Sequence, residues 1–408
     1  ISRHFIDKYY RFLLLPNCHP DFYNGWINEI QELVVKDKSL HFSVLTNAAS
    51  HIYNIDAVSG MQDLALSYYS KALRGLASML EQPTESKLET HNGLLMSVML
   101  LYLHGCMGQG TYADIPPHLN AAIRLLALRL FNAPLKISRP FDRLAVESVL
   151  YQAFLVGTGH WSDETQNQIF DLDFWLQAER LLAQSAMYPG RSTSVNSPVL
   201  GLPVPLYRLA VQVKQIYQNT STPDLQTLSA IRTEIESWEA IVLCNRKMDE
   251  LPDDEQPNRE QEFYESASYL YTLVTSLLLE QTSACSIATE LLLNEEPAGV
   301  PRVPRPAPHD CWQIQKAIQI VKKYENDDDW AGCYIGNWPV YTLGFFLEKQ
   351  EHVDLVRNDL KRRWEFTSFM QIARFQHDLN KTWISRGQVT DSQAVWPDMD
   401  CLLLKPSD

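Results

Sequence analysis

Residues 92–131, NGLLMSVMLLYLHGCMGQGTYADIPPHLNAAIRLLALRLF, constrain the fold most. From Leu94 to Leu103 the segment is apolar on every face of a helical wheel, so a helix here must be surrounded by other elements. Gly105, Gly108 and Gly110 predict its end, because successive glycines favour turns over helix. Ile115-Pro116-Pro117 predicts a restart, since proline fits the first turn of a helix, where its missing N–H is not needed. Leu119, Ala122, Ile123, Leu126 and Leu130 then recur at helical spacing. The two segments predict a central helical hairpin inside an all-α fold.

The flanking sequence supplies the helices that such a hairpin needs. Periodicity predicts helices over His4–Leu15, Asp21–Val35, Phe42–Tyr53 with Ser39 as N-cap, and Met61–Leu80. Further on it predicts Asp142–Leu155, Phe170–Ala186, Leu206–Tyr217, Leu225–Cys244, Phe263–Leu279, Ser286–Leu293 and Trp312–Tyr324. The last third reads as one helix over Trp330–Phe346 and another over Val353–His377. Alternating strand patterns are nearly absent and no internal repeat is found, so one all-α domain of about a dozen helices is expected across residues 1–408. Within it, residues 249–261 read as an acidic solvated loop and the proline-rich residues 297–308 as an extended connector.

Charge and cysteine usage narrow the function. The net charge is −14 and the densest basic run is Lys361-Arg362-Arg363, which argues against direct nucleic-acid contact by this chain. No apolar run reaches the roughly 20 residues that cross a membrane, so no membrane association is expected. Seven scattered cysteines fit reduced thiols and an intracellular, cytoplasmic setting, or a nuclear one for a regulator. Because the first residue is Ile1, no targeting signal is readable.

Motifs with a fixed chemistry do not withstand inspection. Gly105-x-x-Gly108-x-Gly110 follows a helix, lacks a Gly-Lys-Ser/Thr step, and reads as a turn and not a phosphate loop. Asp327-Asp328-Asp329 lacks a third carboxylate one turn on and reads as a loop that caps the next helix. His104-x-Cys106 and His309-x-Cys311 do not make a four-ligand zinc set, and Glu348 with His352 reads as a surface pair. Neither a metal nor another cofactor is expected. What remains is aromatic and polar interleaving at Gly159-His160-Trp161 and along Trp330, Tyr334, Trp338, Tyr341 and Phe345. Pro339 is expected to kink the second stretch and open space beside it, as a small-molecule pocket requires.

Several segments, in order, resemble the fungal-specific transcription factor domain, the helical regulatory region of fungal zinc-cluster regulators. They are Tyr68–Leu73, Asn92–Gly105, His118–Leu126, Phe141–Ser148 and Gly336–Tyr341, the last carrying a Trp-Pro step. The family's six-cysteine zinc cluster has no counterpart, since Cys18 stands alone before Cys106, so its DNA-binding role passes to no residue here. The resemblance implies either a ligand-holding, dimerising regulatory domain or a repurposed stand-alone enzyme similar to the hetero-Diels–Alder cyclases of fungal tropolone–sesquiterpenoid pathways. Missing cysteines, acidity and aromatic richness tilt the expectation toward the cyclase. Such an enzyme needs a shaped apolar pocket, a few hydrogen-bond donors, and an acid to expel water and unmask a quinone methide. His160, Tyr334, Tyr341, Arg374 and His377 are the expected catalytic donors, with His104, Trp161, Trp330, Trp338 and Phe345 binding an apolar substrate. A homodimer is compatible with either reading.

Overall fold

The helix anticipated at the centre of the hairpin is enclosed on all sides. A computed structural model describes residues 1–80, 91–131, 137–161, 171–218, 225–248, 259–292 and 302–390. Its helices are α1 (Ser2–Asp7), α2 (Pro20–Lys36), α3 (Lys38–Asp56), α4 (Met61–Leu80), α5 (Asn92–Met107), α6 (Ile115–Leu126), α7 (Pro140–Thr158) and α8 (Leu172–Ala183). There follow α9 (Thr193–Asn196), α10 (Val204–Gln218), α11 (Leu225–Met248), α12 (Arg259–Leu292), α13 (Trp312–Lys323), α14 (Asp328–Gly332), α15 (Asn337–Gly344), α16 (Gln350–Thr367) and α17 (Met370–Ser385). Among the described residues there is no strand.

α5 is the hub. It packs against α2, α3, α4, α6, α7 and α17, and from Gly93 to Met107 only Leu103 is not fully buried. The helix runs through Gly105 and stops at Gly108, where a Cβ would lie 2.6 Å from Ser50 Oγ and 2.7 Å from the His104 carbonyl. Gly110 takes a φ of 83°, a conformation that glycine adopts without penalty, and α6 begins with Pro116 and Pro117 in its first turn. On the other side α12 packs against α10, α11, α13 and α15. One apolar cluster joins both groups of helices, from Phe5 to Val389.

Several helix starts are capped by side chains. Asp37, and not Ser39, caps α3 by accepting the Leu40 N–H at 3.1 Å; Ser39 lies inside the helix and donates to the Ala72 carbonyl at 3.1 Å. Asp327 caps α14 through the Trp330 N–H at 3.0 Å, the role anticipated for the aspartate run.

Three predicted helices are divided differently. His4–Leu15 resolves into α1 and a 3₁₀ turn over Tyr9–Leu13. Trp330–Phe346 breaks into α14, a 3₁₀ turn over Tyr334–Gly336, and α15, where Pro339 occupies the opening turn and kinks nothing. Val353–His377 is interrupted at Ser368, whose φ of 50° separates α16 from α17. Conversely, Phe263–Leu279 and residues 286–292 of the predicted Ser286–Leu293 are parts of the single helix α12, and Leu293 lies outside the described residues. Residues 249–258 of the expected acidic loop and 297–301 of the proline-rich connector lie outside the described residues; 259–261 open α12, and 302–308 form no helix. No described helix is long and apolar enough to cross a membrane.

Candidate functional site

Two small cavities meet at the end of α5, and three of the ten anticipated site residues, Tyr334, His160 and Arg374, line them. Tyr102 and Leu155 line both, so the two chambers share a wall of one α5 and one α7 side chain.

The first chamber has a volume of about 50 Å³ and lies between α2, α5, α7 and the turn that follows α1. Its walls are almost entirely apolar, with Leu100 and Met107 from α5 and Leu144 from α7. Three unpaired polar groups interrupt them. The Tyr10 hydroxyl, the Trp26 indole N–H and Gln152 Oε1 are buried, and none has a hydrogen-bond partner. An unpaired buried donor or acceptor costs about 1–3 kcal/mol, so three of them at one cavity are a substantial local penalty. The rings themselves are firmly set: Tyr10 stacks on Trp26 at 6.5 Å and Trp26 on Phe141 at 5.4 Å. Tyr334 also lines this chamber, with its hydroxyl donating to the Val199 carbonyl at 2.7 Å.

The second chamber, about 20 Å³, is more polar, with His160, Tyr112, Gln371 and Arg374 among its lining residues. His160 Nδ1 lies 2.8 Å from the Tyr112 hydroxyl. Arg374 sits with its guanidinium 4.5 Å from the centre of the Tyr112 ring. It donates to the carbonyls of Gly105, Cys106 and Gly108 at 3.1, 2.9 and 2.9 Å, which closes the end of α5.

Behind this chamber the chain brings other anticipated residues together. The Trp161 N–H donates to both Tyr341 Oη and Asp378 Oδ2 at 3.0 Å, and the Tyr341 hydroxyl donates to the same Asp378 carboxylate. Burial, then the Asp378 charge, pushes the Tyr341 hydroxyl well above its ordinary range, so it remains protonated. Tyr341 stacks on Phe375 at 4.0 Å, and Phe345 meets the edges of both Tyr341 and Trp161. His160, Trp161, Tyr341 and Phe345 thus form one neighbourhood.

The remaining anticipated residues are elsewhere. His104 is fully buried on α5, with Nδ1 2.7 Å from Thr111 Oγ1. Burial, followed by Arg374 and His118, lowers its pKa to about 3 and keeps the ring neutral. Trp330 donates its indole N–H to Asp359 at 3.1 Å and stacks on Tyr324 at 4.8 Å, in the core between α14 and α16. Trp338 packs against Tyr271 and Phe154. His377 is exposed on α17. Tyr10, Trp26 and Gln152 escaped the sequence reading. The first two carry ordinary core periodicity, and nothing local in the chain marks a polar tip as unpaired. No group of three or more His, Cys, Asp or Glu placed to hold a metal occurs among the described residues.

The family model of the fungal specific transcription factor domain matches residues 1–395 of the chain. No curated protein and no solved structure matches.

Proposed function

The chain belongs to the fungal specific transcription factor domain family, and from that membership we propose that it is the ligand-holding regulatory domain of a fungal zinc-cluster transcription regulator. The observation that carries this reading is how the expected catalytic donors are used. Arg374 is spent on three backbone carbonyls, Tyr334 on the Val199 carbonyl, and Tyr341 on Asp378. A catalyst keeps such groups aimed at a reacting atom, whereas here they fasten helix ends and loops. The net charge of −14 supports action in the nucleus through other proteins, with DNA contact left to a separate element. The test is a fusion to an unrelated DNA-binding domain in a fungal reporter strain. Reporter output that differs from that of the DNA-binding domain alone supports the regulator. A silent fusion together with a chemically converted metabolite refutes it.

The cyclase is the second reading, and the second chamber favours it. There a histidine–tyrosine pair and a guanidinium line the same cavity, and a phenol hydrogen-bonded to an imidazole can pass a proton to a leaving hydroxyl. Its substrate would be an apolar metabolite held between Tyr102 and Phe375. Native mass spectrometry of the chain with apolar fungal metabolites separates the readings: a bound and unchanged ligand supports the regulator, and a turned-over one the cyclase.

A further inference from the structure

We propose that the chamber lined by Tyr10, Trp26 and Gln152 is a binding site for a small neutral apolar molecule bearing a hydroxyl or carbonyl, about the size of one ring. Three observations define that chemistry. The walls are apolar, so the body of the ligand is hydrocarbon or aromatic. No Asp, Glu, Lys, Arg or His lines the chamber among the described residues, so a carboxylate or an amine would enter without a counter-charge. Finally, the Trp26 N–H can only donate, Gln152 Oε1 can only accept, and the Tyr10 hydroxyl does either. An alcohol or phenol satisfies both kinds of partner with a single group, and a ketone satisfies the two donors.

Burial keeps the Tyr10 hydroxyl protonated, so it is available as a donor at any working pH. A volume of about 50 Å³ is smaller than the roughly 150 Å³ that admits benzene in an engineered apolar cavity. Entry of a ring therefore requires Met99 and Met107 to repack, which unbranched thioether side chains do readily. This inference deepens the regulatory reading and rests on it for what binding would accomplish, although the binding itself is measurable without it.

The test is calorimetric titration of the whole chain with phenol, toluene and benzoate, three probes of similar shape. Saturable binding in the order phenol, toluene, benzoate is expected, with benzoate not detected. Trp26→Phe, which keeps the stacked ring and removes the N–H, should weaken phenol by about fivefold and leave toluene within about twofold. Gln152→Met provides an independent variant should Trp26→Phe fold poorly, and it too should narrow the gap between phenol and toluene. Equal binding of phenol and toluene, comparable binding of benzoate, or no saturable binding of any probe would each overturn the proposal; the last leaves the chamber to water. A fusion that regulates its reporter while phenol fails to bind would discard this site and keep the regulator, and the reverse result would do the opposite.

Discussion

Glu147 accepts the Ser197 hydroxyl at 2.6 Å, joining the middle of α7 to the loop that leads into α10. The same carboxylate is fully buried, accepts the Arg143 guanidinium at 2.6 Å, and takes the Val199 and Leu200 N–H groups at 3.0 and 3.1 Å. Arg143 in turn donates to the Leu182 and Ser185 carbonyls at 3.0 and 3.3 Å. One ion pair therefore holds both the end of α8 and the 197–200 loop, whose Val199 lines the first chamber. Replacing Glu147 with Ala leaves Arg143 buried and uncompensated, so a loss of about 3–5 kcal/mol is expected in urea unfolding. Glu147→Gln should cost less, because the amide oxygen still accepts. Equal midpoints for wild type and Glu147→Ala would show that the pair contributes nothing.

Arg374 gives a second expectation. Arg374→Met keeps the stem over Tyr112 and removes every bond to the Gly105, Cys106 and Gly108 carbonyls. Bonds from a charged donor are worth about 1.5–3 kcal/mol each and are not additive, so about 2–4 kcal/mol should be lost. Arg374→Lys should recover only part of it, since one ammonium cannot span three carbonyls. Hydrogen exchange should accelerate first in the last turn of α5.

Acid should destabilise the fold through His51. Its Nε2 lies 3.0 Å from the Thr367 carbonyl and so carries the hydrogen, while Nδ1 accepts from His4 Nε2 at 2.9 Å. Burial lowers its pKa from 6.5 to about 4, with His4 and Lys8 adding to the effect and the Thr367 carbonyl opposing it. On acidification the unfolded chain takes up the proton first. Stability present above pH 6.5 is therefore lost as pH falls toward about 4, by an amount on the order of 3 kcal/mol. His104 and His118, both lowered by burial, act in the same direction. His51→Gln should flatten the dependence of the urea midpoint on pH between 6.5 and 4.5, and an unchanged slope would contradict this assignment.

Thiol reactivity offers a fourth check. Burial raises Cys106 and Cys333 to about 11 and Cys18 to about 12. At pH 7.5 all three are protonated, so alkylation of the native chain should leave them intact for hours and label them within minutes after unfolding. Rapid native labelling of Cys106 would indicate that α5 opens more readily than its burial implies.

The parts of the fold legible in the sequence were those written in local periodicity. The all-face apolar run of Leu94–Leu103 required a helix enclosed on every side, and α5 is one. The breaks that went unread are made by distant residues. Nothing at Thr367-Ser368-Phe369 resembles a stop signal; the carbonyls freed there are taken by His51 and Asn54 of α3. The rings from Trp330 to Phe345 kept perfect helical spacing, yet Arg363 of α16 captures the Trp330 and Cys333 carbonyls at 3.0 and 2.8 Å and holds the chain out of helix between them. The same limit applies to the site. His160, Trp161 and Tyr341 were readable as rings with polar tips, and they do converge. That Tyr10 and Trp26 keep theirs unpaired depends on what faces them across the core, which no local pattern encodes.

The α3 clasp on Ser368 also determines how this protein can be dissected. Asn54 holds the Met107 and Ser368 carbonyls together at 3.0 Å each, so the start, the middle and the final helices are closed by one amide. A fragment ending before α16 would leave that amide and the His51 ring facing water, and a fragment beginning after α3 would leave the carbonyls bare. Deletion mapping from either side would thus score collapse of the fold as loss of function. Point substitutions at the chambers are the informative way to divide the activities of this protein.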